Sequence, residues 1–171
     1  MINEVLRNFL RFIILVLVQV LIIKNIEMGR YIIPFIYVLF IISLPFEIPN
    51  WLLLVVSFLL GISIDFFYNT AGMHSAACLV MAYIRPTILK VFSPREGYEF
   101  GMQPTIHYLG SVWFVSYAGI LIFIHHLVLF FIEVFRFSEF FSTLLRVIGS
   151  SLFTLLLVVL IQFLFKQKKE E

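Results

Sequence analysis

Long apolar runs separated by short clusters of proline, glycine, asparagine and charged residues follow one another from end to end of the chain. The runs are continuously apolar and do not alternate with polar residues at period two, which predicts helices and argues against the strands of a β-barrel. Helices are expected over about 9–25, 31–46, 50–69, 72–92, 107–133 and 143–165. A helix needs about 20 residues to cross a hydrocarbon core about 30 Å thick, so six of them occupy about 120 residues. What remains of 171 residues suffices only for ends and loops, and 1–171 reads as a single transmembrane helical domain. The second run is short, which implies a shallow position or local thinning of the bilayer.

Composition settles the class that this pattern suggests. Hydrophobic residues make up 62% of the chain and charged residues 13%, with 21 phenylalanines. A soluble domain carries about 45–50% and about 25%, so the chain reads as an all-α polytopic membrane protein. The first run follows Arg7 and Arg11 and has a short apolar centre, like a signal peptide. It is nevertheless followed by Lys24, Asn25, Ile26 and Glu27 with no small-residue cleavage pattern, and is taken as an uncleaved first span.

Charge sets an expected orientation. With both termini cytoplasmic, Arg7, Arg11, Arg85, Lys90, Arg95, Lys166, Lys168 and Lys169 lie inside, and Lys24, Arg30, Arg136 and Arg146 lie outside. Excess Lys and Arg on the cytoplasmic side is the usual bias, which is expected to put both ends inside. The net charge of +2 reflects this asymmetry and gives no footprint for nucleic acid. Membrane lipid is the expected surrounding.

Asp65, the only aspartate, sits within the apolar run 51–68. A charge at the bilayer centre costs roughly 2.5–3.5 kcal/mol, so it should be answered by partners. Ser57, Gly61 and Asp65 are spaced i, i+4, i+8 and share a helical face whose small members admit a close neighbour. Gly72, Ser75, Ala76 and Ala77, also small, open the next helix, and these two faces are expected to pack together. Asp65 then caps the turn 69–72 or the start of the fourth helix, pairs with Arg30 or Arg146, carries protons with His74, His125, His126 and Glu133, or binds a ligand or partner helix. Capping is the favoured expectation, because acidic side chains near helix ends usually satisfy backbone donors.

Catalytic and metal chemistry find little support. His125 and His126 are adjacent, about 100° apart on a helix, where i, i+4 spacing would put two imidazoles on one face. They are expected to be a hydrogen-bonded or interfacial pair. Ser150, Thr154 and Gln162 share a face of the last helix, and Gly149, Ser150 and Ser151 read as a close-packing patch. Neither a P-loop nor a CxxC or GxSxG motif is present, and Cys78 is single. No enzyme activity, metal or cofactor is expected. The segment 85–107, with Arg85, Pro86, Pro94, Arg95, Gly97, Tyr98 and Glu99, is the longest connection and reads as an extended fourth helix with a solvated connector, as a segment along the membrane surface, or as a partner-docking loop.

The stretch 61–77, GISIDFFYNTAGMHSAA, followed by Ala82 and Tyr83, resembles the central signature of the MreD family of rod shape-determining membrane proteins. Arg85-Pro86, Ser93-Pro94-Arg95, Gly97-Tyr98-Glu99, Pro104, His125-His126 and the stretch 133–137 resemble the version found in Bacteroidetes-type bacteria. The resemblance implies a non-enzymatic component of the elongation machinery. Its expected partners are an MreC-like protein and, through it, the MreB filament, a RodA-type glycosyltransferase and its transpeptidase. It also implies a fold similar to the substrate-binding subunits of energy-coupling vitamin transporters. It assigns no catalytic residue, so Gly61, Asp65, Gly72 and His74 enter as signature positions only. The alternative expectation is a small-molecule-binding subunit of a transporter, which would require a pocket lined by a few polar groups.

Overall fold

The computed structural model describes residues 2–25, 32–135 and 139–164, and among these every regular element is helical. In chain order they are α1 (Ile2–Leu21) with a 3-10 turn at Ile23–Asn25, a 3-10 turn at Ile36–Val38 running into α2 (Leu39–Ile42), α3 (Asn50–Tyr68), α4 (Met73–Val91), α5 (Ile106–Leu109), α6 (Ser111–Val134) and α7 (Phe140–Leu164). Among the described residues four segments are long and apolar enough to cross a membrane: Val5–Asn25, Asn50–Tyr68, Ser111–Val134 and Phe140–Leu164. The chain is an all-helical membrane protein. Its outward faces carry Leu17, Leu59, Ile62, Phe123, Leu152 and Leu156, all exposed, as suits a chain whose solvent is hydrocarbon.

The helices pack in sequence, α3 against α4, α4 against α6 and α6 against α7, while α1 borders the segment 36–42 and α3. α4 matches α3 in length at 19 residues. It carries His74, Arg85 and Lys90, however, and falls outside the four most apolar helices. Pro86 lies inside it. The fifth expected helix is broken at Gly110, whose φ of 84° and ψ of 162° turn the chain between α5 and α6. Such a conformation favours glycine.

The expected continuous helix over 31–46 is corrected by the structure. Residues 32–35 have no helical structure, and only Ile36–Val38 and Leu39–Ile42 are wound. The cause is local: Pro34 has no amide hydrogen and pushes Ile33 toward extended geometry. The segment is not peripheral, because every residue from Pro34 to Leu44 is buried. Irregular backbone of this kind is tolerated in a membrane protein only where other protein elements satisfy it.

Arg30, Arg136, Lys166, Lys168 and Lys169, which entered the charge reading, lie outside the described residues. So do residues 136 and 137 of the stretch 133–137 that contributed to the family resemblance.

Candidate functional site

The joint between α3 and α4 is built on Asp65. α3 ends at Asn69 in the left-handed region, with φ 53°, and α4 starts from Gly72, with φ 83°. Gly72 has no side chain to cap the helix it begins, and the carboxylate of Asp65 does so from the preceding helix. Its Oδ1 accepts from the His74 amide at 3.0 Å and the Thr70 hydroxyl at 2.5 Å. Its Oδ2 accepts from the Ser75 amide at 2.9 Å and the Ser75 hydroxyl at 2.6 Å. Four donors thus answer a carboxylate that is 4% exposed. Hydrogen bonds to a charged group each contribute about 1.5–3 kcal/mol, enough together to offset burial.

Gly61 lets the two helices approach. A Cβ placed there would lie 2.7 Å from the Ser75 amide nitrogen and 2.9 Å from the His74 carbonyl oxygen, both backbone atoms. Ser57, one turn earlier, is fully buried, and its hydroxyl has no hydrogen-bond partner among the described residues. Of the two small faces expected to meet, Gly61 and Asp65 of α3 lie against His74 and Ser75 at the start of α4, and Ala76 is half-buried. Asp65 does not pair with Arg146, which instead meets Glu133 at 3.1 Å and lies 4.3 Å from the centre of the Phe130 ring. Beside this joint lies an open groove of about 850 Å3, lined among others by Phe58, Ile62, Phe66, Gly72, Ala76 and Leu79.

The second structural centre is the unwound segment. Its successive amides are answered by side chains from two helices: Ile33 by the Ser150 hydroxyl at 2.9 Å, Phe35 by the Thr154 hydroxyl at 3.1 Å, and Ile36 by Gln19 Oε1 at 2.8 Å. Pro34, between them, has no amide to satisfy. The Gln19 amide donates in turn to the Pro34 carbonyl at 3.2 Å and to the Tyr68 hydroxyl oxygen at 2.9 Å. At the far end the carbonyls are covered. Tyr117 donates to Ile42 at 3.1 Å, Arg11 to Ser43 at 3.1 Å, and Arg85 Nη2 to Leu44 and, at 3.4 Å, to Pro45.

Around this segment the three buried histidines converge. The Tyr37 hydroxyl is 2.8 Å from His74 Nδ1 and 2.8 Å from His125 Nε2, so it bridges α4 and α6. A hydroxyl carries one hydrogen, hence one imidazole receives it and the other donates to the same oxygen. His126 turns elsewhere: its Nδ1 donates to the Ile122 carbonyl at 2.8 Å, leaving Nε2 to accept the Thr154 hydroxyl at 3.2 Å. The adjacent pair therefore serves two different networks. The Phe35 ring sits among them, 5.2 Å from His74, 6.1 Å from His125 and 5.4 Å from His126. Among the described residues no three His, Cys, Asp or Glu side chains come together as a metal-binding group.

The connection after α4 needs one correction. Arg85 and Pro86 are not loop residues: both lie in α4, and Arg85 is 1% exposed, donating from Nε to the Tyr117 hydroxyl oxygen at 2.8 Å. Helix four runs to Val91, as the extended-helix reading expected. Pro94, Arg95, Gly97 and Glu99 are exposed. Tyr98 folds back, donating to the Leu89 carbonyl at 2.8 Å and stacking on Phe46 with ring centres 4.1 Å apart. Glu47 accepts from the Gly101 amide at 2.7 Å, tying the loop to the turn before α3.

Gln19, Tyr37 and Tyr117 were not among the sequence candidates. Gln19 had a signal: it is a lone amide in the middle of an apolar run, where a polar side chain must find a partner. The tyrosines had none, because an aromatic stripe reads equally well as packing.

Compared with known proteins, the chain matches no family model, and no curated protein or solved structure is significantly similar to it.

Proposed function

We propose that the chain is a non-enzymatic, multi-pass scaffold of the MreD type in the bacterial plasma membrane. In this reading both termini are cytoplasmic and the protein works with an MreC-like partner, and through it with the MreB filament, a RodA-type glycosyltransferase and its transpeptidase. The observation that carries the reading is the use made of the signature residues. Gly61, Asp65, Gly72 and His74 all join α3 to α4, and all four donors around the Asp65 carboxylate come from the chain itself. A carboxylate engaged in this way holds a helix pair in register, which suits a protein whose output is a surface for other helices.

The centre of the bundle, where a small-molecule carrier would keep its cargo, is filled by Phe35, Tyr37, His74 and His125. A carrier would instead have to use the open groove beside Asp65. Crosslinking from groove positions Phe66 and Ala76 in native membranes, followed by purification, tests the proposal. Capture of an MreC-like single-pass protein is the expected result. Recovery of an ATPase module and a bound small molecule, with no MreC-like protein, would overturn it.

A further inference from the structure

Among the described residues no carboxylate answers the charge on Arg85. Its Nε and Nη2 donate to a tyrosine hydroxyl and to main-chain carbonyls, all uncharged. Its other terminal nitrogen, Nη1, makes no hydrogen bond among the described residues. Buried cations normally keep an ionic partner, because an unpaired charge away from water is costly. Arg85 lines a cleft of about 450 Å3 between the start of α3 and the end of α4.

The cleft is arranged for an anion. Lys90 stands on its wall, exposed and without an ion pair among the described residues. α3 starts there with Asn50, its N-cap Pro49 makes no side-chain cap, and its first turn holds no acidic residue. The free amides of that turn and the positive end of the helix dipole favour negative charge. The carbonyls at the end of α4, which would repel an anion, are partly covered. Tyr98 donates to Leu89 O and Trp113 to Phe92 O, each at 2.8 Å. Glu47 is engaged with Gly101, and neither it nor Glu96 nor Glu99 lines the cleft. Much of the remaining wall is apolar, formed by Phe46, Ile48, Leu53 and Leu89, with Ser93 and Tyr98 adding polar atoms.

A soluble anion would gain nothing from that apolar wall, whereas a lipid uses both parts. We propose that this cleft binds an anionic phospholipid, its phosphate held by Arg85 Nη1, Lys90 and the first-turn amides of α3, with acyl carbon against Leu53 and Leu89. Basic pockets between helices at the membrane interface recognise such headgroups. The inference stands independently of the scaffold role.

The test uses the full chain in neutral detergent, with lipid retention followed by native mass spectrometry and thermal stability measured in parallel. Phosphatidylglycerol is expected to be retained and to raise the unfolding temperature, while phosphatidylcholine and free glycerol phosphate at equal concentration are not. Lys90→Glu should weaken retention about five-fold or more, given about 1 kcal/mol for each surface cation. Arg95→Glu, on the exposed loop outside the cleft, should leave it unchanged. Arg85→Gln tests folding together with binding, so the exposed Lys90 carries the decision. Equal retention of the two lipids, or equal losses in Lys90→Glu and Arg95→Glu, would overturn the site. Stabilisation by glycerol phosphate equal to that by lipid would overturn the lipid assignment.

Discussion

Ser75 donates both its backbone amide and its hydroxyl to one oxygen of Asp65, at 2.9 and 2.6 Å, across ten residues of sequence. These two hydrogen bonds to Oδ2, with Thr70 and His74 on Oδ1, make one side chain the connection between two helices. Asp65→Asn keeps an acceptor for part of this set, whereas Asp65→Leu leaves all four donors unanswered. Asn is expected to cost about 1–3 kcal/mol and Leu more, since each buried unsatisfied group costs about that much. Thermal unfolding in detergent checks the order, and a Leu variant as stable as the natural chain would remove the capping account.

Close approach at Gly61 predicts a second asymmetry. Gly61→Ala forces a methyl against the backbone of His74 and Ser75, which cannot rotate away, and should destabilise by about 1–3 kcal/mol. Gly119→Ala, whose Cβ would lie 3.5 Å from Leu155 Cδ2, meets ordinary contact. That change should be neutral or stabilise by about 0.5–1 kcal/mol, because alanine favours the helix interior. Paired unfolding curves on the two variants separate close packing from helix propensity.

Gln19 holds the break in the second apolar segment by accepting from Ile36 and donating to Pro34 and Tyr68. Gln19→Leu should therefore cost more than a surface change, about 1–3 kcal/mol for each group left unsatisfied. Gln19→Glu keeps an acceptor for Ile36 but buries a carboxylate against the Pro34 carbonyl, and should cost at least as much as Leu. Hydrogen exchange provides a local readout: faster exchange of the Ile36 amide is expected in Gln19→Leu, with little change in the middle of α6.

Tyr37→Phe removes the single hydroxyl shared by His74 and His125. Imidazole nitrogen signals of both histidines should shift together, and those of His126, which bonds Ile122 and Thr154, should not. A response from only one histidine would show that the hydroxyl does not bridge them.

Much of the framework was legible in the chain. Helix ends near Asn50, Tyr68 and Val134 follow from prolines, glycines and the limits of apolar runs, and the role of Asp65 followed from its i+8 face and the glycine turn after it. The 31–46 segment misled because hydrophobicity alone reports burial and does not distinguish a lipid-facing helix from a partly extended strip enclosed by other helices. Pro34 marked the break, but its consequence depended on Gln19, Ser150 and Thr154 standing ready to replace the lost helical bonds. Arg85 misled for the opposite reason. Its charge and the proline after it resemble a loop, yet Leu44, Pro45 and Tyr117 supply acceptors inside the bundle.

By itself the sequence determined the solvent, the helical class and the α3–α4 joint, because these depend on composition and on neighbours within ten residues. Tertiary structure alone decided how the second apolar segment could unwind. Its amides at Ile33 and Phe35 find their acceptors 117 and 119 residues away, at Ser150 and Thr154. A backbone donor removed from water must be answered, but no local pattern specifies which distant side chain answers it.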